Sequence, residues 1–259
     1  MESNKKESSN LGGFKNLRGL IECQQEEIET LKARIIALEQ ENQALKQQLQ
    51  PKKRAKKLEH LTKSDLQQQW LSLSLNWQKA LNHTVLSRGE ITDLPTEREL
   101  RQIFSANKLE LVGNGILIFG LHQLSFQLTD LSGLVYFPNL IDLNISGNAL
   151  KNLNGIEVTT KLEHLNCTSN KITTLRKIRY LKQLKTLIIR DNKLTTLTEI
   201  QHLQELAYLD ILYNKRLKDI SKLKTLPNLK QLFVFDYKAA IRESVLELKR
   251  MLPDLEVGQ

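Results

Sequence analysis

The 259-residue sequence predicts an α/β solenoid of stacked 22-residue units, with a helical N-terminal flank and a C-terminal cap, preceded by a coiled-coil helix. Three observations lead there. From Leu140 onward the pattern LxxLxLxxNxL restarts at Leu162, Leu184 and Leu206, 22 residues apart, and in part at Leu229, 23 further on, so the chain is self-similar. From Ile21 to Leu49 apolar residues recur every seven positions instead. Residues 61–112 and the segment after Phe235 follow neither rule and carry helix signals. The expected organisation is a disordered tail (1–14), a parallel coiled coil (15–50), a basic linker (51–60), a helical flank (61–117), repeats (118–236) and a cap (237–259).

The stem comes first. With Ile21, Ile28, Ile35, Asn42 and Leu49 at the a positions, Gln24, Leu31, Leu38 and Leu45 fall at d. β-Branched Ile at a with Leu at d suits the holes of a two-stranded parallel coil, and one Asn at a penalises other registers. In a parallel homodimer each g residue faces the e residue five positions later in the partner. That pairs Glu27 with Lys32, Arg34 with Glu39 and Glu41 with Lys46, all attractive. Ile28, Leu31, Ile35, Leu38, Asn42 and Leu45 are the expected dimerisation residues. The competing reading is one long amphipathic helix packed on the rest of the chain, which Ile36 at b would favour.

Pro51 ends the heptads, and Lys52, Lys53, Arg54, Lys56 and Lys57 follow. The formal charge of +9 is concentrated there and in residues 140–259, which hold 20 basic and 13 acidic residues. Such an excess suits acidic partners, nucleic acid or an anionic membrane, but it also serves solubility. Basic zippers place their basic helix before the coil, whereas this run follows it and a proline. It also lacks interleaved aromatics for stacking on single strands. A solvated hinge, or a nuclear import signal in a nucleated cell, is the reading that follows.

In the flank, Ser64-Asp65 marks the start of a helix containing Trp70, Leu73 and Trp77. Thr96 and Glu99 form a capping box that leads into Leu100, Ile103 and Phe104. These helices are expected to seal the end of the solenoid, whose first, degenerate unit aligns at Ile118 to Leu134 with Phe126 in place of Asn. In each full unit the LxL residues point inward from a short parallel strand, a face that only neighbouring units can bury. Asn148, Asn170, Asn192 and Asn214 then stand where the chain turns, able to satisfy backbone groups that lack a strand partner. Cys167 occupies the inward position held elsewhere by Ile145 and Ile189, and reads as a core residue. The cap carries Ile241, Val245, Leu248 and Leu252 at helical spacing before Pro253, with Tyr237 in place of the ladder Asn.

On LIDLNISGNAL, LEHLNCTSNKI, LKTLIIRDNKL and LAYLDILYNKRL the chain resembles the leucine-rich repeat family, in the 22-residue type of bacterial internalins and a protein phosphatase-1 regulatory subunit. The resemblance implies a leucine-rich repeat horseshoe segment and a protein-binding role. In this repeat type the residues flanking LxL alternate outward onto the concave sheet. The first two rows, around Asn144 and Asn166, are small and polar. Later rows place Ile188, Tyr208, Leu212, Phe233 and Phe235 there, bordered by Arg190 and Asp210. These seven are the expected partner-binding residues, since apolar and aromatic groups among charges have hot-spot character. The alternative is cover by the chain's own cap or by the partner protomer's stem.

Nothing in the sequence supports catalysis. GNG in LVGNGILIFG lacks the third glycine and the strand-to-helix context of a dinucleotide loop, and reads as a turn. Five scattered histidines and two cysteines (Cys23, Cys167) offer no metal-ligand spacing and no disulfide framework. The expectation is a non-enzyme without cofactor or metal, and a homodimeric adaptor that binds a protein partner. A nucleic-acid-associated or nuclear protein is the alternative and is not favoured. The chain shows no secretory h-region and no membrane span, which implies a cytoplasmic protein, or a nuclear one in a eukaryote.

Overall fold

A computed structural model describes residues 58–88, 93–113, 126–235 and 239–258, together with Gln25, Ile28, Thr30 and Arg34. The chain divides into two compact units, Met1–Lys57 and Leu58–Gln259. In the first, those four residues are helical with exposed side chains, Ile28 being 50% exposed. Leu31, Ile35, Leu38, Asn42 and Leu45 of the expected seam, and all five basic linker residues, lie outside the described residues.

The second unit is a parallel sheet of seven three-residue strands in chain order: β1 (Lys108–Glu110), β2 (Asp142–Asn144), β3 (His164–Asn166), β4 (Thr186–Ile188), β5 (Tyr208–Asp210), β6 (Gln231–Phe233) and β7 (Glu256–Gly258). The repeats hold their predicted register: Leu143 pairs with Leu165, Leu165 with Leu187, and Leu187 with Leu209. Opposite the sheet the chain returns through 3-10 turns such as Ile156–Val158 and Ile178–Tyr180. Ile156, Ile178, Ile200 and Leu223 from these turns meet the strand leucines in one core and are fully buried. Thr159 sits where other units carry Leu or Phe; its hydroxyl donates to the Ile156 carbonyl at 2.8 Å, which removes the cost of burying it.

The asparagine ladder is complete over four units. Asn170 accepts from the Leu150 amide at 3.0 Å and donates to the carbonyls of Ile145, Cys167 and Thr168. Asn192 repeats this one unit on, accepting from Ile172 and donating to Cys167, Ile189 and Arg190. Consecutive asparagines therefore share the carbonyl of the inward residue between them: Asn148 and Asn170 share Ile145, Asn170 and Asn192 share Cys167, and Asn192 and Asn214 share Ile189.

The first unit differs from expectation. Its strand is Lys108–Glu110, drawn from the segment assigned to the helical flank, and not from Ile118 onward. Lys108 pairs with Asp142 across 34 residues, where the next three pairings are 22 apart. The Gly113 amide donates to Ser146 O as the Gly147 amide does to Thr168 O, while the Leu128 amide takes Asn148 Oδ1 as the Leu150 amide takes Asn170 Oδ1. The surplus therefore falls between Gly113 and Phe126, which displaced the alignment. Gly113 is required here, since a Cβ would collide with the Asn148 side chain. Phe126 holds the Asn position as a buried apolar plug.

The flank forms α1 (Lys63–Ser72), α2 (Leu75–Thr84) and α3 (Glu97–Phe104). The expected single helix through Trp70 and Trp77 is two, because the Ser74 hydroxyl caps the Trp77 amide and starts a new helix. Capping boxes close α1 (Thr62 with Asp65) and α3 (Thr96 with Glu99). The helices seal the core through Trp77, whose Nε1 donates to Asp130 O at 3.3 Å and whose ring passes over Gly133, where a Cβ would strike it. At the other end α4 (Ala239–Met251) buries Ile241, Val245 and Leu248 before β7 continues the sheet.

Candidate interaction surface

The outward side chains of β1 and β2 bind one another. Lys108 bridges Glu110 and Asp142 at 3.1 and 3.2 Å, and Asn144 Nδ2 donates to Glu110 at 2.7 Å. Asn144 and Asn166 use their Oδ1 atoms to accept the amides of Ser146 and Thr168, two residues on, and so hold the strand exits. Little is left to recognise a ligand there.

From β4 onward the surface changes. Tyr208 and Phe233 lie with ring centroids 5.4 Å apart, and the Phe233 ring leans over Gly258 on β7, where any Cβ would meet it. Phe235 meets Tyr213 edge-on at 4.9 Å, and the Arg190 guanidinium lies 5.2 Å from the Tyr213 ring. The structure thus brings Arg190, Tyr208, Asp210, Phe233 and Phe235 into adjoining rows, with half-buried Ile188 beside them on β4. Leu212 does not join the exposed set. It is 2% exposed, and its amide is held by Asp210 Oδ1 at 3.0 Å.

Asp210 is itself 5% exposed, at the register where Asn144 and Asn166 do the same backbone work without charge. Burial pushes its carboxyl above the usual carboxylate range, against the Leu212 amide and the Arg190 charge, which pull it down. Burial and the Asp210 charge likewise raise the Tyr208 hydroxyl. Arg190 Nη1 stands 3.9 Å from Asp210 Oδ2, too far for a hydrogen bond, and Arg190 Nε is buried without an acceptor among the described residues.

Sequence reasoning missed Tyr213. It precedes the ladder Asn, as do Gly147, Ser169 and Asp191, and all four have positive φ between 52° and 69°. A left-handed backbone suits Gly and, at some cost, Asp or Ser; for a bulky Tyr it costs roughly 1–2 kcal/mol. The run Gly, Ser, Asp, Tyr at one register was the available signal. Tyr213 is 45% exposed, so core packing does not account for its presence.

Elsewhere the chemistry is quiet. Cys167 is fully buried, with Sγ 3.5 Å from the Ile188 carbonyl and its thiol pushed far up by desolvation. The basic stretch 176–185 is largely engaged by the neighbouring units: Lys177 with Glu157, Arg179 with Glu199 and Lys185 with Glu163, at 2.7–2.9 Å. A groove of about 580 Å³ beside Tyr208 is lined by Asn228, Lys230, Leu252 and Glu256, the last bound to Gln231 at 2.8 Å. Among the described residues no helix is long and apolar enough to cross a membrane.

No family model and no curated protein matches the sequence. Among solved structures, an internalin of Listeria monocytogenes (inlF) is 21% identical with a TM-score of 0.52, over 71% of this chain and 55% of that one. The chain therefore spans little more than half of that protein's length. A leucine-rich repeat protein of Leptospira interrogans is 23% identical over 63% of this chain and 51% of its own, with a TM-score of 0.45. The fold assignment rests on the first of these.

Proposed function

We propose that this leucine-rich repeat protein is a non-catalytic cytoplasmic adaptor that takes a protein partner on the concave face over β4 to β6. One observation carries the reading: Tyr208 with Phe233, and Tyr213 with Phe235 and Arg190, form two ring clusters on adjoining rows, next to β1 and β2, whose outward charged and amide groups bind one another. Aromatic residues and Arg dominate binding energy at protein interfaces. Tyr213 also occupies a costly backbone position with nearly half its surface in solvent. The heptads add the second half of the reading, a parallel homodimer that presents two such faces and gains avidity. The nucleic-acid alternative is weakened where Lys177, Arg179 and Lys185 are engaged by carboxylates.

The test is capture with the intact protein and with a Phe233→Ser, Phe235→Ser variant. The expected outcome is an unchanged circular dichroism spectrum and melting temperature together with loss of the captured protein. A large fall in melting temperature would instead assign the two rings to intramolecular cover.

A further inference from the structure

We infer that Arg190 is a receptor for a carboxylate, so that the partner offers an acidic segment carrying an aromatic or apolar anchor; this rests on the concave-face reading above. The guanidinium has five N–H donors, yet among the described residues it makes no hydrogen bond. Its Nε is buried with nothing to accept from it, a rare condition for such an atom. Among the described residues its ion-pair partner, Asp210, stands 3.9 Å from Nη1 and already spends its other oxygen on the Leu212 amide. The guanidinium is held in place all the same, against the Tyr213 ring at 5.2 Å, which is itself set by Phe235.

A cation positioned on an aromatic shelf with its terminal edge unused suits an incoming carboxylate. Two parallel N–H···O bonds from Nη1 and Nη2 would form, and the adjoining rings would receive the neighbouring side chain. Asp210 plays the complementary part: it lies beneath Arg190, 5% exposed, and orients the charge without saturating it. Two exposed lysines of the preceding units add positive charge to the same register: Lys171 and Lys193, each one residue past a ladder Asn, carry no ion pair among the described residues. Asp191, near Lys193 in the chain, accepts the Ser169 hydroxyl at 2.9 Å.

The test uses the 259-residue protein and three synthetic peptide pools of about 12 residues, each with a central Tyr, Phe or Leu anchor flanked by Glu, Gln or Lys, read by fluorescence anisotropy. The Glu pool is expected to bind at least about tenfold more tightly than the Gln pool. Arg190→Gln should remove that margin, Arg190→Lys should keep part of it, and Arg190→Glu should shift preference to the Lys pool, each read as the ratio between pools for a variant whose circular dichroism spectrum is that of the folded protein. Equal affinity for the three pools, lost in the Phe233→Ser, Phe235→Ser variant, overturns the carboxylate receptor and leaves the concave-face reading standing. Glu-pool binding that survives both the double Ser variant and Arg190→Gln overturns the concave-face reading. Absence of binding by any pool at millimolar concentration overturns the receptor. If Arg190→Gln fails to fold, the Tyr213→Gly variant, which suits the left-handed turn, must lose the Glu preference or the inference fails.

Discussion

Replacing the ladder asparagines one at a time by Ala tests whether the solenoid is held by shared carbonyls. In the middle of the ladder, Asn192→Ala strips the buried Ile172 amide of its acceptor, but Cys167 O keeps Asn170 and Ile189 O keeps Asn214. Arg190 O keeps the Ser169 amide. One buried group is orphaned. At the end, Asn214→Ala orphans the Leu194 amide and also Ile211 O, which has no other donor among the described residues. Asn148→Ala likewise orphans the Leu128 amide and Leu111 O. An orphaned buried group costs about 1–3 kcal/mol, so Asn170→Ala and Asn192→Ala should each cost about 2 kcal/mol, and Asn148→Ala and Asn214→Ala about 1–3 kcal/mol more. Urea unfolding followed by far-UV circular dichroism reads the difference as a lower midpoint at constant slope. Equal costs along the ladder, or cheaper substitutions at its ends, would refute the shared-carbonyl account.

Asp210→Asn should be at least as stable as the wild type at pH 7, because Asn does the same backbone work at the equivalent register in β2 and β3. A carboxyl raised in the folded state contributes stability below its unfolded pKa and loses it as pH rises through the folded one. The wild type should therefore gain on the variant as pH falls from 7 toward 4, although Glu157, Glu163 and Asp219, whose pKa values are lowered, make both proteins less stable in acid. A gap between the two melting temperatures that is independent of pH would contradict the buried carboxylate. In a Cys23→Ser background, Cys167 should react with a thiol reagent only at the rate of unfolding, since it is fully buried and its thiol is held protonated; fast labelling of the native protein would contradict its place in the core.

Much of the solenoid was legible because its period is strict: Leu143, Leu165, Leu187 and Leu209 pair as their spacing requires. Its beginning was not, because an insertion after Gly113 separates the first strand from Phe126, and spacing alone then favoured the wrong segment. The break between α1 and α2 was hidden for a different reason. Ser74 looks like any polar helical residue until its hydroxyl is seen capping Trp77. In the candidate site, alternation along the strands placed Ile188, Tyr208 and Phe233 on one face. Alternation fails past the strand ends, where the backbone turns: Leu212 goes inward, and Tyr213, unremarked by any apolar pattern, comes out. The stem reading rests on residues outside those described, apart from Ile28 and Arg34.

The central claim is that the rows over β4 to β6 face another protein. Placing a photo-crosslinking phenylalanine analogue at Ile188, half-buried between Arg190 and the polar rows, and irradiating intact cells tests it most directly. The account predicts a discrete adduct with a second, different protein, absent when the analogue replaces exposed Lys224 on the opposite side. Adducts confined to this chain or its own dimer would contradict it.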